Sequence, residues 1–138
     1  MRRPLRVLRA VRMRKVNLAE AFARFDDFWN PKIAGEINDS YVKLVKLQGA
    51  FDWHHHEIED ELFLVVEGRM RMGLRDGDVD LGPGELIVIP RGLEHRPEAL
   101  SAECHVVLLE PKTTVNTGNV VTGRTVEELQ WLRGCEPV

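Results

Sequence analysis

Residues 49–68 read GAFDWHHHEIEDELFLVVEG, which combines three consecutive histidines, an acidic turn and an apolar run. On a β-strand, residues i and i+2 point to the same side, so His54 and His56 share a face while His55 points to the other. Glu61 opens the apolar run, which predicts a second strand, and its carboxylate can face the same space. We therefore expect two imidazoles and one carboxylate to converge between neighbouring strands.

A fourth candidate ligand follows in residues 84–95, which read GELIVIPRGLEH. Glycines and a proline mark turns on both sides of this apolar run, and His95 stands just after the second turn. Three neutral imidazoles and one carboxylate suit a borderline divalent transition metal rather than calcium or magnesium. The candidate metals are Fe, Mn, Ni, Zn, Co and Cu.

These residues also allow simpler interpretations. The three histidines alone could form a solvent-exposed tract that binds metal adventitiously, and the acidic residues after them could be a solvated turn. The joint spacing of the two stretches favours a built metal site. By strand parity we place His55 and Trp53 outside that site, and we interpret His105 as a structural or surface residue.

From Tyr41 onward, turn residues separate short runs of Val, Ile, Leu and Phe. This pattern predicts an all-β domain, and eight short strands favour a barrel or a double sheet. Apolar residues at helical spacing after Asn17 predict a short helix over 17–29, and Thr125 begins a second predicted helix that ends at Gly134. The strands are expected near 41–48, 50–56, 60–67, 69–75, 78–81, 86–90, 94–98 and 103–110.

Together the two stretches resemble the two motifs of small single-domain bacterial cupins, in the same order and at a similar distance. The resemblance covers about residues 41–110 and implies a cupin double-stranded β-helix, or jelly-roll barrel, with short N- and C-terminal helices. One departure is Ala99, where the second motif often ends in an asparagine that is not a metal ligand. The resemblance also implies that four side chains bind one metal inside the barrel: His54, His56, Glu61 and His95.

The composition fits one globular domain of 138 residues that is 43% hydrophobic and 30% charged. Five arginines and no acidic residue lie in residues 1–12, so residues 13–138 hold 14 basic against 22 acidic side chains. The first 12 residues could be a basic arm, a transit-like leader or sequence upstream of a native start at Met13. We interpret them as disordered or as a non-native start, and residues 13–138 as a single cupin domain.

Charge and cysteine usage restrict the environment and the partners. An acidic body argues against nucleic-acid binding, and no apolar run approaches the length of a membrane span. Cys104 and Cys135 lack the spacing of a metal or redox motif, so we expect two reduced thiols. The protein is therefore expected to be cytoplasmic, with neither nucleic acid nor membrane as a partner.

Three apolar runs, 62–66, 86–89 and 106–109, show no alternation with polar residues. Both faces of each strand are therefore expected to be buried. One face would line the interior, and the other needs the N-terminal helix, a second sheet or another subunit to cover it. This pattern predicts a homodimer.

Two functions are compatible with the predicted site. Four protein ligands leave positions open on a metal that prefers six, which suits an enzyme acting on a small hydroxy-acid, sugar-like or other chelating metabolite. Both dioxygenase and isomerase or lyase chemistry are open, and no catalytic residue is identified. The alternative is a noncatalytic cupin that binds or senses a small molecule. Lys43, Lys46 and Arg91 are candidate anchors for an anionic ligand.

Overall fold

A computed structural model describes residues 13–137 of the chain. The arginine-rich segment 1–12, interpreted above as disordered or as a non-native start, lies outside the described residues. Within the described range, no helix is long and apolar enough to cross a membrane.

Nine β-strands and one short helix make up the regular structure of residues 13–137, so the all-β prediction is confirmed. Seven of the eight predicted strands are present, and two further strands lie outside the predicted set. In chain order the elements are α1 (Leu18–Phe22), β1 (Lys32–Ile37), β2 (Ser40–Leu47), β3 (Glu61–Glu67), β4 (Met70–Leu74), β5 (Val79–Leu81), β6 (Leu86–Ile89), β7 (His95–Ala99), β8 (Cys104–Pro111) and β9 (Gln130–Trp131).

The strands form two sheets that share one apolar core. A six-stranded sheet has the order β6-β3-β8-β2-β1-β9, and a three-stranded sheet has the order β5-β4-β7. Neighbouring strands pair antiparallel, except for β1 and β9, which pair in parallel. Both sheets contribute buried side chains to the core, which contains Val45, Leu47, Phe63, Val65, Met70, Met72, Leu81, Ile89, Cys104, Val106 and Leu108.

The N-terminal helix is shorter than predicted, because α1 ends at Phe22 rather than at residue 29. Asn17 caps it as expected, its side-chain oxygen accepting a backbone N–H of the first turn at 3.0 Å. Further along, the backbone N–H of Trp29 donates to the carbonyl of Lys46 at 2.9 Å, and its indole N–H donates to the carbonyl of Gln48 at 2.9 Å. These bonds to the end of β2 take the place of helical ones, so tertiary contacts override the helical spacing.

The predicted C-terminal helix is wrong: residues 125–132 form turns and then β9. The hydroxyl of Thr125 accepts the backbone N–H of Thr122 at 3.0 Å. It therefore bonds to a preceding residue and not to the N–H groups of a following helix. Strand β9 pairs with β1, and the next backbone N–H, that of Leu132, donates to the carbonyl of Ile33 at 2.8 Å. Pairing with β1 also buries the Leu132 side chain in a cluster with α1, which stabilises the extended form.

Residues 50–56 do not form the predicted strand. They are joined to β7 by two isolated bridges, Ala50 with Glu98 and His54 with His95. Burial nevertheless alternates along the histidines, since His54 and His56 are buried and His55 is not. The alternation of side chains expected of a strand therefore holds at these positions, although a continuous series of backbone hydrogen bonds to a neighbouring strand is missing.

The outer faces of the apolar runs are covered unevenly. Val66 and Val107 pack against the cluster that contains α1. On the edge strand β6, by contrast, Leu86 is 56% exposed and Val88 is 52% exposed. The expectation that both faces of all three strands are buried is therefore wrong for β6 within a single chain.

Candidate metal centre

The structure brings together the four side chains that the sequence singled out as ligands. One potential ligand atom from each lies within 4.8 Å of the others, and all four residues are buried. Two of the histidines come from the extended segment before β3, Glu61 opens β3, and His95 opens β7. The four residues are His54, His56, Glu61 and His95.

Backbone hydrogen bonds hold the histidine segment against the start of β7. The N–H of His54 donates to the carbonyl of His95 at 3.1 Å, and the N–H of His95 donates back at 2.9 Å. The N–H of Gly92 donates to the carbonyl of His56 at 2.7 Å. Residues about 40 positions apart in the chain are thereby fixed in one place without relying on the side chains themselves.

The tautomers of two histidines are set by main-chain carbonyls. Nδ1 of His54 lies 2.8 Å from the carbonyl oxygen of Asp52, and Nδ1 of His95 lies 2.8 Å from that of Leu93. A carbonyl oxygen can only accept, so each Nδ1 carries the proton and each Nε2 presents a lone pair. This arrangement is the one that orients imidazoles as metal ligands.

Distances and burial around Glu61 fit a cation between the ligands. Oε1 of Glu61 lies 3.3 Å from Nε2 of His95 and 3.4 Å from Nε2 of His56. Nε2 of His56 is buried and makes no hydrogen bond in the described part of the chain. Buried polar atoms are normally satisfied, so a buried ring nitrogen that makes no hydrogen bond is consistent with a site for a metal ion.

Protonation also favours metal binding. Burial, followed by the charge of His95, lowers the pKa of His54 to about 4, so this imidazole is neutral at physiological pH. Burial alone would raise the pKa of Glu61, but its interactions with Glu110, His56 and His95 hold the pKa of this carboxyl well below its usual range. Neutral imidazole and ionised carboxylate are the forms that bind a metal.

Sequence reasoning missed the role of Glu110 and left the direction of Lys43 open. Both side chains are buried, and Nζ of Lys43 donates to Oε1 of Glu110 at 2.8 Å. Burial, followed by the charge of the adjacent Glu61 carboxylate, raises the pKa of Glu110 well above its ordinary value. In the described part of the chain, the second carboxyl oxygen of Glu110, Oε2, is buried and has no hydrogen-bond partner. Strand parity could have found both residues, since Lys43 shares its face with Val45 and Glu110 shares its face with Leu108.

A small pocket is lined by two of the four ligand residues, His54 and Glu61. The space open to the centre of a water molecule has a volume of about 30 Å³. Glu110 and Asn116 supply the other polar side chains of the lining. Apolar and aromatic side chains form the rest of the lining: Trp29, Pro31, Val45, Leu47, Phe51, Phe63, Pro97 and Leu108.

The histidines outside the predicted ligand set lie away from the pocket. Nε2 of His55 is paired with Glu57 at 2.6 Å. The ring of His105 stacks on Phe22 at 4.7 Å and is paired with Glu103. Neither histidine belongs to the cluster of ligand atoms.

Trp53, which was expected outside the site, and the candidate anchors Lys46 and Arg91 do not belong to the pocket lining. Trp53 packs beneath a guanidinium group, that of Arg75, at 3.8 Å. Nζ of Lys46 donates to a backbone carbonyl at 2.6 Å, and Arg91 is paired with Asp60. Lys46 and Arg91 are therefore occupied elsewhere and do not reach the pocket as anchors for an anionic ligand.

Comparison with known proteins supports the fold and the motif assignment. The family model described as a cupin domain, Cupin_2, matches residues 41–111. A solved cupin-2 domain protein from Shewanella frigidimarina NCIMB 400 is 41% identical, with a TM-score of 0.68, and the match covers 70% of this chain and 94% of that one.

Two curated proteins match shorter stretches. The uncharacterized protein YdbB of Bacillus subtilis is 40% identical over 62 residues, which is 44% of this chain and 55% of YdbB. Acireductone dioxygenase 1 of Coprinopsis cinerea is 38% identical over 76 residues, which is 51% of this chain and 40% of that enzyme. The chain thus spans about half or less of the length of these curated relatives.

Proposed function

Because the chain belongs to the Cupin_2 family of cupin domains, we propose that it is a metal-dependent enzyme acting on a small chelating metabolite. The observation that carries this proposal is the convergence of ligand atoms from four buried residues within 4.8 Å, beside a pocket that His54 and Glu61 help to line. His54, His56, Glu61 and His95 would hold one divalent transition metal. Their nitrogen and oxygen donors suit Fe, Mn, Co, Ni, Cu or Zn.

A metal with four protein ligands and two open positions would supply Lewis-acid chemistry or, as Fe(II), dioxygen chemistry. The residues of the chain would control the state of the Glu61 ligand and the surroundings of the pocket. Lys43 is paired with Glu110, and Glu110 helps to keep the pKa of Glu61 low, so the two residues would keep this carboxylate ionised for a metal. The apolar walls exclude bulk water from the pocket and strengthen the electrostatic interactions inside it.

An enzyme is favoured over a noncatalytic binding protein by two observations. His54 and Glu61 belong to the pocket lining, so a small molecule in the pocket would lie next to the ligand residues. In addition, one relative is named a dioxygenase, and its match covers half of this chain. The dioxygenase reaction is therefore the first to test, with isomerase or lyase chemistry next and binding without turnover as the alternative.

The first experiment is elemental analysis of tag-free protein purified without added metal. We expect near one equivalent of one transition metal in the wild type and in His55→Ala, which removes an imidazole outside the cluster. The double variant His54→Ala/His56→Ala should lose most of it. Equal metal content in all three proteins, also after attempted reconstitution, would contradict the proposed centre.

The metal then selects the assay for turnover. Iron leads to measurement of oxygen uptake with chelating compounds, whereas manganese, nickel or zinc leads to isomerase and lyase assays. Product formed by the wild type but not by His95→Ala would support the enzyme. Saturable binding of a compound without product would favour the noncatalytic alternative.

A further inference from the structure

The histidine segment, residues 50–56, is held along two edges. One edge faces β7, through the backbone bonds between His54 and His95. The other faces residues 116–124, which we call the strap. We propose that the strap positions the two buried histidines of this segment as ligands and that Asn119 is the residue through which it acts. This inference rests on the proposed function, because the metal is what the positioned imidazoles would bind.

Asn119 bonds to both main-chain groups of His55, which lies between the two ligands. The N–H of His55 donates to Oδ1 of Asn119 at 2.8 Å, and the N–H of Asn119 donates to the carbonyl of His55 at 3.0 Å. These groups belong to the two peptide units that join His55 to His54 and to His56. Because a peptide unit is planar and rigid, holding both units fixes the directions in which the two imidazoles leave the chain.

The strap also holds the residues that precede the first ligand. The hydroxyl of Thr122 donates to Oδ2 of Asp52 at 3.0 Å, and Nη1 of Arg124 donates to the carbonyl of Ala50 at 2.8 Å. Asp52 is the residue whose backbone carbonyl lies 2.8 Å from Nδ1 of His54. Thr122 therefore bonds to the residue that orients the His54 ring.

The strap is braced by its own hydrogen bonds. The side-chain amide of Asn116 donates to the carbonyl of Arg124 at 2.8 Å and accepts the N–H of Val126 at 2.8 Å. The hydroxyl of Thr117, a fully buried residue, lies 2.7 Å from that of Thr125. The strap therefore has a shape that does not depend on the histidine segment, and it can impose a position on that segment.

Gly118 lets the strap approach a ligand ring directly. A Cβ atom added at this position would lie 3.1 Å from Cδ2 of His54 and 2.2 Å from the carbonyl oxygen of His55, and the φ of Gly118 is +56°. Glycine suits this combination of a positive φ and a close approach. Cδ2 is bonded to Nε2, the nitrogen that presents the lone pair, so contact with the strap backbone blocks movement of this nitrogen toward the strap.

Asn119 is itself exposed, so truncating its side chain removes little buried area. Its hydrogen bond to His55 is therefore expected to matter more for the metal than for folding. Ligand positions affect metal affinity directly, and loss of a group that orients the ligands weakens binding by about tenfold to a hundredfold. A purely structural residue would instead change stability and leave metal binding as it is.

The test loads cobalt(II) into tag-free protein and measures both its dissociation constant and its visible absorption spectrum, which reports the arrangement of the ligands. Asn119→Ala removes the oxygen that accepts the His55 N–H, whereas Asn119→Asp retains an acceptor oxygen. We expect Asn119→Ala to bind cobalt about tenfold more weakly and with a changed spectrum. Asn119→Asp should match the wild type, as should Val121→Ala, which truncates a 90% exposed side chain of the same strap.

Two further measurements examine the strap without relying on one variant or on the metal. Thr122→Val removes the hydroxyl that bonds to Asp52, so it should also change the cobalt spectrum, whereas Thr122→Ser should not. In metal-free protein, the backbone N–H of His55 should exchange with solvent about tenfold faster in Asn119→Ala than in the wild type. Hydrogen exchange thus detects release of the histidine segment independently of the metal.

The outcomes separate this inference from the proposed function. If the wild type binds no cobalt, the metal centre is wrong and the inference fails with it. If the wild type binds cobalt and Asn119→Ala keeps the wild-type affinity and spectrum, Asn119 is a structural residue and only the inference is wrong. Equal loss of cobalt affinity in Asn119→Ala and Asn119→Asp would also contradict the inference, because the accepting oxygen would then not be the cause.

Discussion

Lys43 is linked to the candidate metal centre through Glu110: its ammonium nitrogen lies 2.8 Å from Oε1 of Glu110, and the adjacent carboxylate of Glu61 raises the pKa of the Glu110 carboxyl. Lys43, Glu110 and Glu61 form a buried row, and their charges sum to zero when the two carboxyl groups share one proton. The pKa of Glu61 is lowered and that of Glu110 is raised, which favours the proton on Glu110 and leaves Lys43 to compensate the Glu61 carboxylate. The row thus provides an ionised ligand without leaving an uncompensated buried charge.

Replacing Lys43 and replacing Glu110 should have unequal effects on stability. Lys43→Met removes the buried cation and should lower the free energy of unfolding of metal-free protein by about 3 kcal/mol. Glu110→Gln keeps the shape of a protonated carboxyl and can still accept from Lys43 and donate to Glu61, so its cost should be about 1 kcal/mol or less. Urea denaturation measures both values. A larger loss for Glu110→Gln than for Lys43→Met would mean that Glu110 is ionised.

The stability of metal-free protein should depend on pH through His54. Its pKa is about 4 in the folded protein, below the ordinary value of about 6.5, so the unfolded chain binds a proton first as pH falls. The free energy of unfolding should therefore be constant above about pH 7 and decrease between about pH 6.5 and pH 4. Denaturation midpoints at a series of pH values measure this, and His54→Gln should flatten that region. An unchanged slope in His54→Gln would assign the effect to other groups.

Gly118 should be sensitive to substitution because it lies against the histidine segment. A Cβ atom at this position would be 2.2 Å from the carbonyl oxygen of His55, and its φ is +56°. Gly118→Ala should therefore cost about 2 kcal/mol or more and weaken metal binding by displacing His54. Gly123→Ala is the matched control, since nothing lies within 4 Å of its added Cβ. Equal thermal stability and metal affinity in the two variants would contradict this account of the loop.

The exposed side chains of β6 predict a homodimer. Leu86 and Val88 point outward from an edge strand, in register with Leu64 and Leu62 of β3. A second copy that covers this face would bury apolar area and leave no unpaired edge there. Size-exclusion chromatography with light scattering should give twice the mass of one chain, and Leu86→Glu/Val88→Glu should give the monomer.

Val79→Glu is the control for this prediction, because Val79 is 40% exposed on the other sheet. It should leave the mass unchanged. A monomeric wild type at micromolar concentration would rule out the dimer. Dissociation by Val79→Glu but not by Leu86→Glu/Val88→Glu would mean that the interface lies on the three-stranded sheet, contrary to this prediction.

Much of the fold and of the candidate site could be predicted because the relevant signals are local. Alternation of side chains placed His54 and His56 on one face and His55 on the other, and it still holds where the expected strand is only an extended segment. Turn residues separate the apolar runs, so seven strands could be located from the turns that bound them. Local signals failed for the two predicted helices. Trp29 donates to the carbonyl of Gln48 after β2, and the hydroxyl of Thr125 accepts the backbone N–H of Thr122, so neither residue makes the hydrogen bonds of a helix.

By itself, the sequence determined the β-rich class, the two motifs and the residue types that can bind a metal, since these depend on periodicity, turns and donor chemistry. Only the tertiary structure decided that His95 pairs with His54, that Lys43 and Glu110 stand behind Glu61, and that Trp29 joins the pocket wall. These contacts join residues far apart in the chain. They depend on strand register and on the mutual packing of the two sheets, which no short stretch of sequence encodes.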